Sequence, residues 1–156
     1  MKRIVLILAI ATATACGPPV DVVKSVQVTV VTSGWIADGV VNGKNKIVPA
    51  VALTLTNVSG QTLNALQVNT VFRLVSSGDE IGSDFRPAGS SGTPAGVATP
   101  KLTLKAARGY TGSDPFDDLL KNSQFVDAKV EVFVKAGSGQ WTRMGEYPIA
   151  REYTGS

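Results

Sequence analysis

VALTLTNVSG, residues 51–60, is the most regular stretch of this 156-residue sequence. Apolar side chains alternate along it with small or polar ones: Val51, Leu53 and Leu55 against Ala52, Thr54 and Thr56. A period of two residues is typical of a β-strand that turns one face to a hydrophobic core. Asn57-Val58-Ser59-Gly60 follows with residue types that favour a turn. The stretch therefore predicts a half-buried strand that closes at Asn57.

Similar segments occupy much of the remaining chain. Further strands are predicted over residues 22–32, 66–75, 80–82, 101–107, 126–135 and 141–151. Turns that contain Gly or Asn separate them, for example Asn42-Gly43 and Gly137-Ser138-Gly139. We expect the segments at 51–57, 66–75 and 80–82 to pair in sequence order as a meander. Residues 87–100 are rich in Gly, Pro, Ser and Thr, and they predict a mobile loop across one end of the domain.

One short helix is predicted near residues 115–122. Asp114 has the side chain of an N-cap, and Pro115 suits the first helical position. Asp117 would complement the free amides and the dipole of the first turn. About seven short strands with a single short helix predict an all-β fold, namely an immunoglobulin-like antiparallel β-sandwich.

The stretch from Ala50 to Gly82 resembles a known immunoglobulin-like module, the FxLYD domain. The similarity lies in the strand and turn at 51–60 and in the closing Glu80-Ile81-Gly82. It also includes the intervening apolar positions Leu63, Leu66, Val68 and Phe72. The aromatic and aspartate residues that mark the third strand of the FxLYD domain are absent. The resemblance implies the fold and does not specify a function.

The first fifteen residues differ in kind from the rest of the chain. Lys2 and Arg3 form a basic start, residues 4–10 are continuously apolar, and residues 11–15 are small and lead to Cys16. The apolar run reaches about 12 residues, whereas a spanning helix needs roughly 20. The pattern predicts a targeting segment rather than a membrane anchor.

The junction resembles the lipobox of bacterial lipoproteins, with Ala13, Thr14 and Ala15 before Cys16 and Gly17 after it. At the position of Ala13 the family usually has leucine or another large aliphatic residue. The resemblance implies cleavage before Cys16, attachment of a diacylglycerol to its sulfur, and anchoring in a lipid bilayer. Gly17 in place of aspartate implies the outer membrane in a two-membrane envelope; with one membrane, the protein would lie on the outer face of the plasma membrane. The alternative is a secretory peptide that leaves a free cysteine.

The expected organisation is a cleaved signal peptide at 1–15, a lipidated cysteine with a Pro-containing tether at 16–21, and one β-sandwich domain at 22–156. Loss of Lys2 and Arg3 reduces the 15 basic residues to 13, against 12 acidic ones. With charges this nearly balanced and no basic run in the sequence, binding of nucleic acid is not predicted. Cys16 is the only cysteine, so no disulfide within the chain can staple the core.

The chain has no histidine, which removes nucleophile–histidine pairs and histidine-bearing zinc motifs. Two acidic groups remain, one comprising Asp79, Glu80 and Asp84 and the other Asp114, Asp117 and Asp118. Neither has the ligand spacing of a calcium loop. We interpret them as solvated turn charges and helix-capping residues. No cofactor, metal or catalytic residue is therefore predicted.

Four aromatic residues are the candidate partner-binding residues: Tyr110, Phe133, Trp141 and Tyr147. Exposed aromatic side chains on a rigid sheet are common anchors of protein contacts. The alternative is that Trp141 and Tyr147 fill the ends of the core and that Tyr110 pins the loop before the helix. The leading hypothesis is a non-catalytic, membrane-anchored envelope lipoprotein that binds another envelope protein or assists assembly. A carrier of a small ligand or glycan ranks second, and an acid/base hydrolase with paired carboxylates ranks third.

Overall fold

The computed structural model describes residues 18–155. The signal peptide predicted at 1–15, together with Cys16 and Gly17, lies outside the described residues. The elements, in chain order, are α1 (Val22–Ser25), β1 (Val26–Val41), β2 (Lys44–Asn57), β3 (Leu66–Leu74), β4 (Glu80–Gly89), β5 (Leu102–Lys105), β6 (Tyr110–Gly112), α2 (Phe116–Leu119), β7 (Ala128–Ala136) and β8 (Thr142–Pro148).

Within residues 18–155 the eight strands form two antiparallel sheets. The first has the order β1-β2-β5, with β6 also paired to β2, and the second has the order β4-β3-β7-β8. Hairpins join β1 to β2, β3 to β4 and β7 to β8, while the chain changes sheet after β2, β4 and β6. This is the connectivity of an immunoglobulin-like sandwich. The predicted all-β fold class is confirmed.

The core lies between the two sheets, and strand alternation decides which side chains enter it. In β7 every second residue is buried: Ala128, Val130, Val132, Val134 and Ala136. β2 and β5 contribute Leu53, Leu55 and Leu104 from the opposite sheet. The alternating patterns therefore predicted the inward positions of Val51, Leu53 and Leu55 and of residues 128–134 correctly. Ala52, predicted to face outward, is also buried, and Val126, predicted to face inward, is 37% exposed and precedes β7.

The predicted meander is wrong at the connection between β2 and β3. β2 and β3 belong to different sheets, so residues 58–65 cross the sandwich instead of forming a hairpin. The sequence pattern fixes which face of a strand is apolar, but both sheets offer an apolar face, and alternation alone does not choose between them.

The first predicted strand begins too early. Residues Val22–Ser25 form one helical turn because the Asp21 carboxylate accepts a hydrogen bond from the backbone N–H of Lys24 at 3.3 Å. β1 then continues well past Thr32 to Val41. The Asn42-Gly43 turn that follows is confirmed, since both residues have positive φ, 51° and 74°.

The predicted helix at 115–122 is shorter than expected. α2 spans only Phe116–Leu119, and Pro115 is its N-cap without a side-chain capping bond. Asp114 is therefore not the N-cap; its backbone oxygen instead accepts a hydrogen bond from the Asn45 amide at 2.9 Å. Beyond Leu119 the backbone bonds span three residues, as in Lys121 N–H to Asp118 O, and the helix does not continue.

The loop predicted at 87–100 has narrower bounds, because β4 extends to Gly89. Its remaining residues are hydrogen-bonded to neighbouring segments. Thr93 exchanges backbone bonds with Leu63 at 2.8 and 3.0 Å, and the hydroxyl of buried Thr99 accepts the Leu55 N–H at 3.0 Å. These bonds fix the segment against the body of the sandwich.

The last residues of the chain pair with the first strand. Tyr153 forms a parallel bridge with Trp35. The Trp35 N–H donates to Glu152 O at 2.8 Å, and the Thr154 N–H donates to Trp35 O at 2.9 Å. This segment covers part of the outer edge of β1, which would otherwise be free.

One end of the sandwich, here called the entry end, comprises residues 18–25, the loops 58–65 and 90–100, and the turn 137–141. The buried side chain of Asn57 organises it. Its amide donates to Gln61 O at 2.8 Å and to Thr93 O at 2.7 Å, and its oxygen accepts from the Ser59 N–H and hydroxyl at 2.9 and 2.7 Å. All four hydrogen-bonding positions of the amide are thus used.

Replacement of Asn57 tests this arrangement. Asn57→Ala removes all four side-chain hydrogen bonds and leaves a cavity where a fully buried side chain stood, so we expect a loss of about 2 to 4 kcal/mol in the free energy of unfolding. Urea denaturation measures the change. Asn64→Ala is the control, since that side chain is exposed in the neighbouring loop, and we expect a change within about 0.5 kcal/mol. Equal effects of the two substitutions would contradict the assigned role of Asn57.

Candidate partner-binding surface

The outer face of the second sheet carries side chains that alternate with the core residues. Asn69 of β3 is paired with Phe85 of β4 on one side and with Phe133 of β7 on the other, and Phe133 is paired with Arg143 of β8. Because Val68, Thr70, Val132 and Val134 point inward, this row points outward. The row crosses the whole sheet from edge to edge.

An exposed aromatic pair lies over this part of the face. Phe85 and Trp141 are 49% and 41% exposed, and their ring centroids are 6.1 Å apart at an interplanar angle of 85°. Phe85 is in the edge strand β4, and Trp141 immediately precedes the other edge strand, β8, so their side chains approach each other across the central strands. The ammonium group of Lys135 lies 5.2 Å from the centroid of the Trp141 ring, a cation–π distance. We call Phe85, Phe133, Lys135 and Trp141 the aromatic surface.

Further along the same face the side chains are charged. Glu131 accepts hydrogen bonds from Arg73 at 2.9 Å and from Arg143 at 3.0 Å. Arg143 and Lys129 also bind Glu146, at 3.1 and 3.3 Å. The hydrogen bond from Arg73, assisted by that from Arg143, holds the pKa of Glu131 below its usual value against the opposing effect of burial. The outer face is therefore divided into an aromatic half and an ion-paired half.

The four aromatic residues predicted from the sequence separate into two pairs. Phe133 and Trp141 lie on the aromatic surface, with Phe133 half-buried and Trp141 exposed. Tyr110 and Tyr147 pack against the core instead. Tyr147 is paired with the buried Val130, which places it on the inward side of β8.

Tyr110 belongs to an aromatic cluster under the first sheet. Its ring is 5.5 Å from that of Phe125, and Phe125 is in turn 4.6 Å from Trp35 in an edge-to-face arrangement. The indole N–H of Trp35 is buried and has no hydrogen-bond partner among residues 18–155. A cavity of about 210 Å³ adjoins this cluster, lined by Trp35, Leu74, Ile81, Gly109, Tyr110, Gln124 and Val126. It is smaller than the roughly 300 to 1,000 Å³ of usual ligand pockets.

Phe85 is the surface residue that the sequence prediction missed. The prediction was a short return strand that starts with Glu80-Ile81-Gly82, whereas β4 has ten residues and continues to Gly89. Asp84 and Arg86 flank Phe85, and a single aromatic residue between two charges gives little strand signal. The alternation of Ser83, Phe85 and Pro87 with Asp84 and Arg86 is the pattern that could have revealed it.

The acidic residues have local partners. Asp84 accepts hydrogen bonds from the Lys105 N–H and from Arg86, both at 3.1 Å. Asp118 accepts from Lys121 at 2.6 Å, and Asp79 accepts from the Ser77 hydroxyl at 2.7 Å. Among residues 18–155 no group of three or more His, Cys, Asp or Glu side chains is placed to hold a metal ion. Nor does any helix in that range have the length and apolar character needed to cross a membrane.

No protein-family model matches the chain, and no curated protein matches it. The similarity to an FxLYD domain stays a prediction. Solved structures with distant similarity include Northeast Structural Genomics Consortium target SoR45, at 13% identity over 83% of this chain and 89% of that one, with a TM-score of 0.47. The ligand binding region of serine-glutamate repeat protein A from Enterococcus faecium has 16% identity over 85% and 98%, with a TM-score of 0.38. A protein from Archaeoglobus fulgidus has 9% identity over 77% and 92%, with a TM-score of 0.41.

The ion pairs of Glu131 should make the free energy of unfolding depend on pH in the acidic range. Because the pKa of Glu131 is lower in the folded than in the unfolded chain, its contribution is present above the unfolded value of about 4.3 and is lost as pH falls through the folded value. Glu131→Gln should therefore be less stable than wild type at pH 7, with a difference that shrinks below about pH 4.

Urea unfolding between pH 7 and pH 3 measures this difference. Glu152→Gln, at an exposed side chain, serves as the matched control, and its pH profile should follow that of the wild type. A Glu131→Gln difference that is constant over the whole range would show that the ion pairs do not supply it.

Proposed function

We propose that this protein is a non-catalytic lipoprotein of the cell envelope that binds a protein partner, or assists assembly, through the aromatic surface. The single observation that carries the proposal is the exposed Phe85–Trp141 pair on the outer face of the second sheet. Large aromatic side chains contribute most of the binding energy in many protein interfaces, particularly when they are held rigidly. Pairing of β3 with both β4 and β7 supplies that rigidity here.

The charges around the aromatic surface define the chemistry of the partner. Lys135 lies over the Trp141 ring, and Arg143 is paired with Phe133 on the neighbouring strand β8. We infer a partner with an apolar contact region bordered by acidic side chains, which would complement these cations and favour the correct orientation.

The anchoring half of the proposal rests on the sequence around Cys16. A diacylglycerol on this cysteine would attach the domain to a bilayer, on the outer membrane in a two-membrane envelope or otherwise on the outer face of the plasma membrane. More than one acyl chain is needed for stable attachment, since each buried methylene contributes about 0.8 kcal/mol. A tether as short as residues 16–21 would keep the domain close to the lipid, where its partner would also be located.

The two other hypotheses have less support in the geometry. A carrier of a small ligand or glycan needs an enclosing pocket. Three larger depressions, of about 400, 520 and 510 Å³, are open to the surface, and the more enclosed cavity beside Tyr110, at about 210 Å³, is below the usual range. A hydrolase needs two carboxylates across a cleft, and Asp84 and Asp118 are each bound to nearby cations.

In-cell cross-linking of the tagged, lipidated protein tests the proposal. Phe85→Ala combined with Trp141→Ala should reduce capture of the partner at least about tenfold, because loss of a central aromatic contact typically costs 2 kcal/mol or more. Both side chains are exposed, so the variant should unfold at nearly the wild-type urea concentration.

Val75→Ala is the control, since Val75 is an exposed apolar residue immediately after the far end of β3, and its capture should equal that of the wild type. A partner that is captured equally by all three proteins would exclude the aromatic surface. Failure of the wild-type protein to capture any specific partner would exclude a binding module.

A further inference from the structure

The two ends of the sandwich differ sharply in charge. The loops 58–65 and 90–100 and the turn 137–141 of the entry end contain no Asp, Glu, Lys or Arg. Loops at the opposite end contain many charged residues, among them Asp79, Arg108, Asp117, Asp118, Lys121 and Arg151. The charges in the α1 turn of the entry end, Asp21 and Lys24, form a pair at 3.3 Å. The entry end is therefore close to electrically neutral.

The uncharged loops form one continuous surface. Leu63 and Thr93 exchange backbone hydrogen bonds, which joins loops 58–65 and 90–100. The Gly137 N–H donates to Ala65 O at 3.2 Å, which joins the turn 137–141 to the same surface. A depression at this end is lined by Pro18, Pro19 and Val20 together with residues from loop 58–65 and from the turn. The described chain thus begins against the neutral surface.

Large apolar side chains are also exposed here. Val58 and Val97 are 50% and 46% exposed. The Asn57 N–H donates to Val97 O at 3.0 Å, so Val97 lies beside the residue that precedes Val58. Trp141 lies at the border between the entry end and the aromatic surface. Uncharged polar loops with a few exposed aliphatic and indole groups match the chemistry of a lipid headgroup interface.

The tether limits which part of the domain can reach a bilayer. Asp21 is five positions after Cys16, and five residue steps span at most roughly 17 Å when fully extended. β2 alone has 14 residues, which is about 45 Å of strand. The charged far end therefore stays away from a bilayer that holds Cys16, unless the domain lies on its side.

We propose that the entry end docks on the headgroup interface of the bilayer and holds the sandwich upright, with Val58 and Val97 in contact with lipid. The inference rests on the proposed lipidation of Cys16. The upright orientation follows from the charge distribution, because the entry end has only the Asp21–Lys24 pair to dehydrate at the interface, whereas the far end has many more charged groups. It leaves the aromatic surface facing sideways, open to a partner in the same membrane.

Spin labels at single introduced cysteines test the orientation. In the lipidated protein the Cys16 sulfur is blocked, so Val58→Cys, Val97→Cys and Val40→Cys each give one labelled site. Val40 is the matched control, an exposed valine at 63% on the far part of β1. Each protein is reconstituted in phosphatidylcholine vesicles, and vesicle flotation is recorded together with collision of the label with a water-soluble nickel chelate.

The proposal expects flotation of all three proteins, with collision rates at positions 58 and 97 several-fold lower than at position 40. A Cys16→Ser version of each variant should not float, and its three labels should collide equally. Flotation with equal rates at all three positions, or with protection of position 40, would overturn the upright orientation and leave the anchor intact. Failure of the proteins to float would overturn the anchor and the orientation together.

Discussion

The buried amide of Asn57 is the interaction on which the entry end depends. Its four hydrogen bonds hold loop 58–65 and Thr93 of loop 90–100 to the end of β2. Loop 58–65 contributes one apolar side chain, Leu63, to the core, and satisfied polar groups supplement that packing as a source of order. This side chain acts together with backbone hydrogen bonds at the end of β2, such as Asn57 N–H to Val97 O and Val58 N–H to Ser25 O.

The second sheet uses its two faces for different purposes. Its inward face packs small and branched aliphatic side chains against the first sheet, which stabilises the fold. Its outward face has two regions. One contains Glu131 and its partners Arg73 and Arg143, and the other contains Phe85 and Trp141. Ion pairs of this kind add little stability when they are exposed, but they keep that half of the face polar and confine apolar exposure to the other half.

Much of the sandwich could be predicted from the sequence because alternation reports directly on burial. The inward residues of β2 and β7, the Asn42-Gly43 turn and the all-β class follow from local patterns. Contacts between distant segments could not be predicted in this way. The pairing of Phe85 with Trp141 requires knowledge that β4 and β8 are the two edges of one sheet, and the crossing of residues 58–65 depends on which sheet receives β3. The helical turn at Val22–Ser25 was not predicted, because closely spaced valines are typical of a strand and the capping role of Asp21 was not considered.

The pairing of Tyr153 with Trp35 has a mechanical consequence. The last segment runs parallel to β1, so its hydrogen bonds, such as Trp35 N–H to Glu152 O, lie across the long axis of the sandwich. A pull along that axis loads these bonds together in shear, whereas a pull across it would open them one after another. A domain that is anchored at one end and pulled at the other would thus be loaded along its long axis, the direction in which these bonds resist force best.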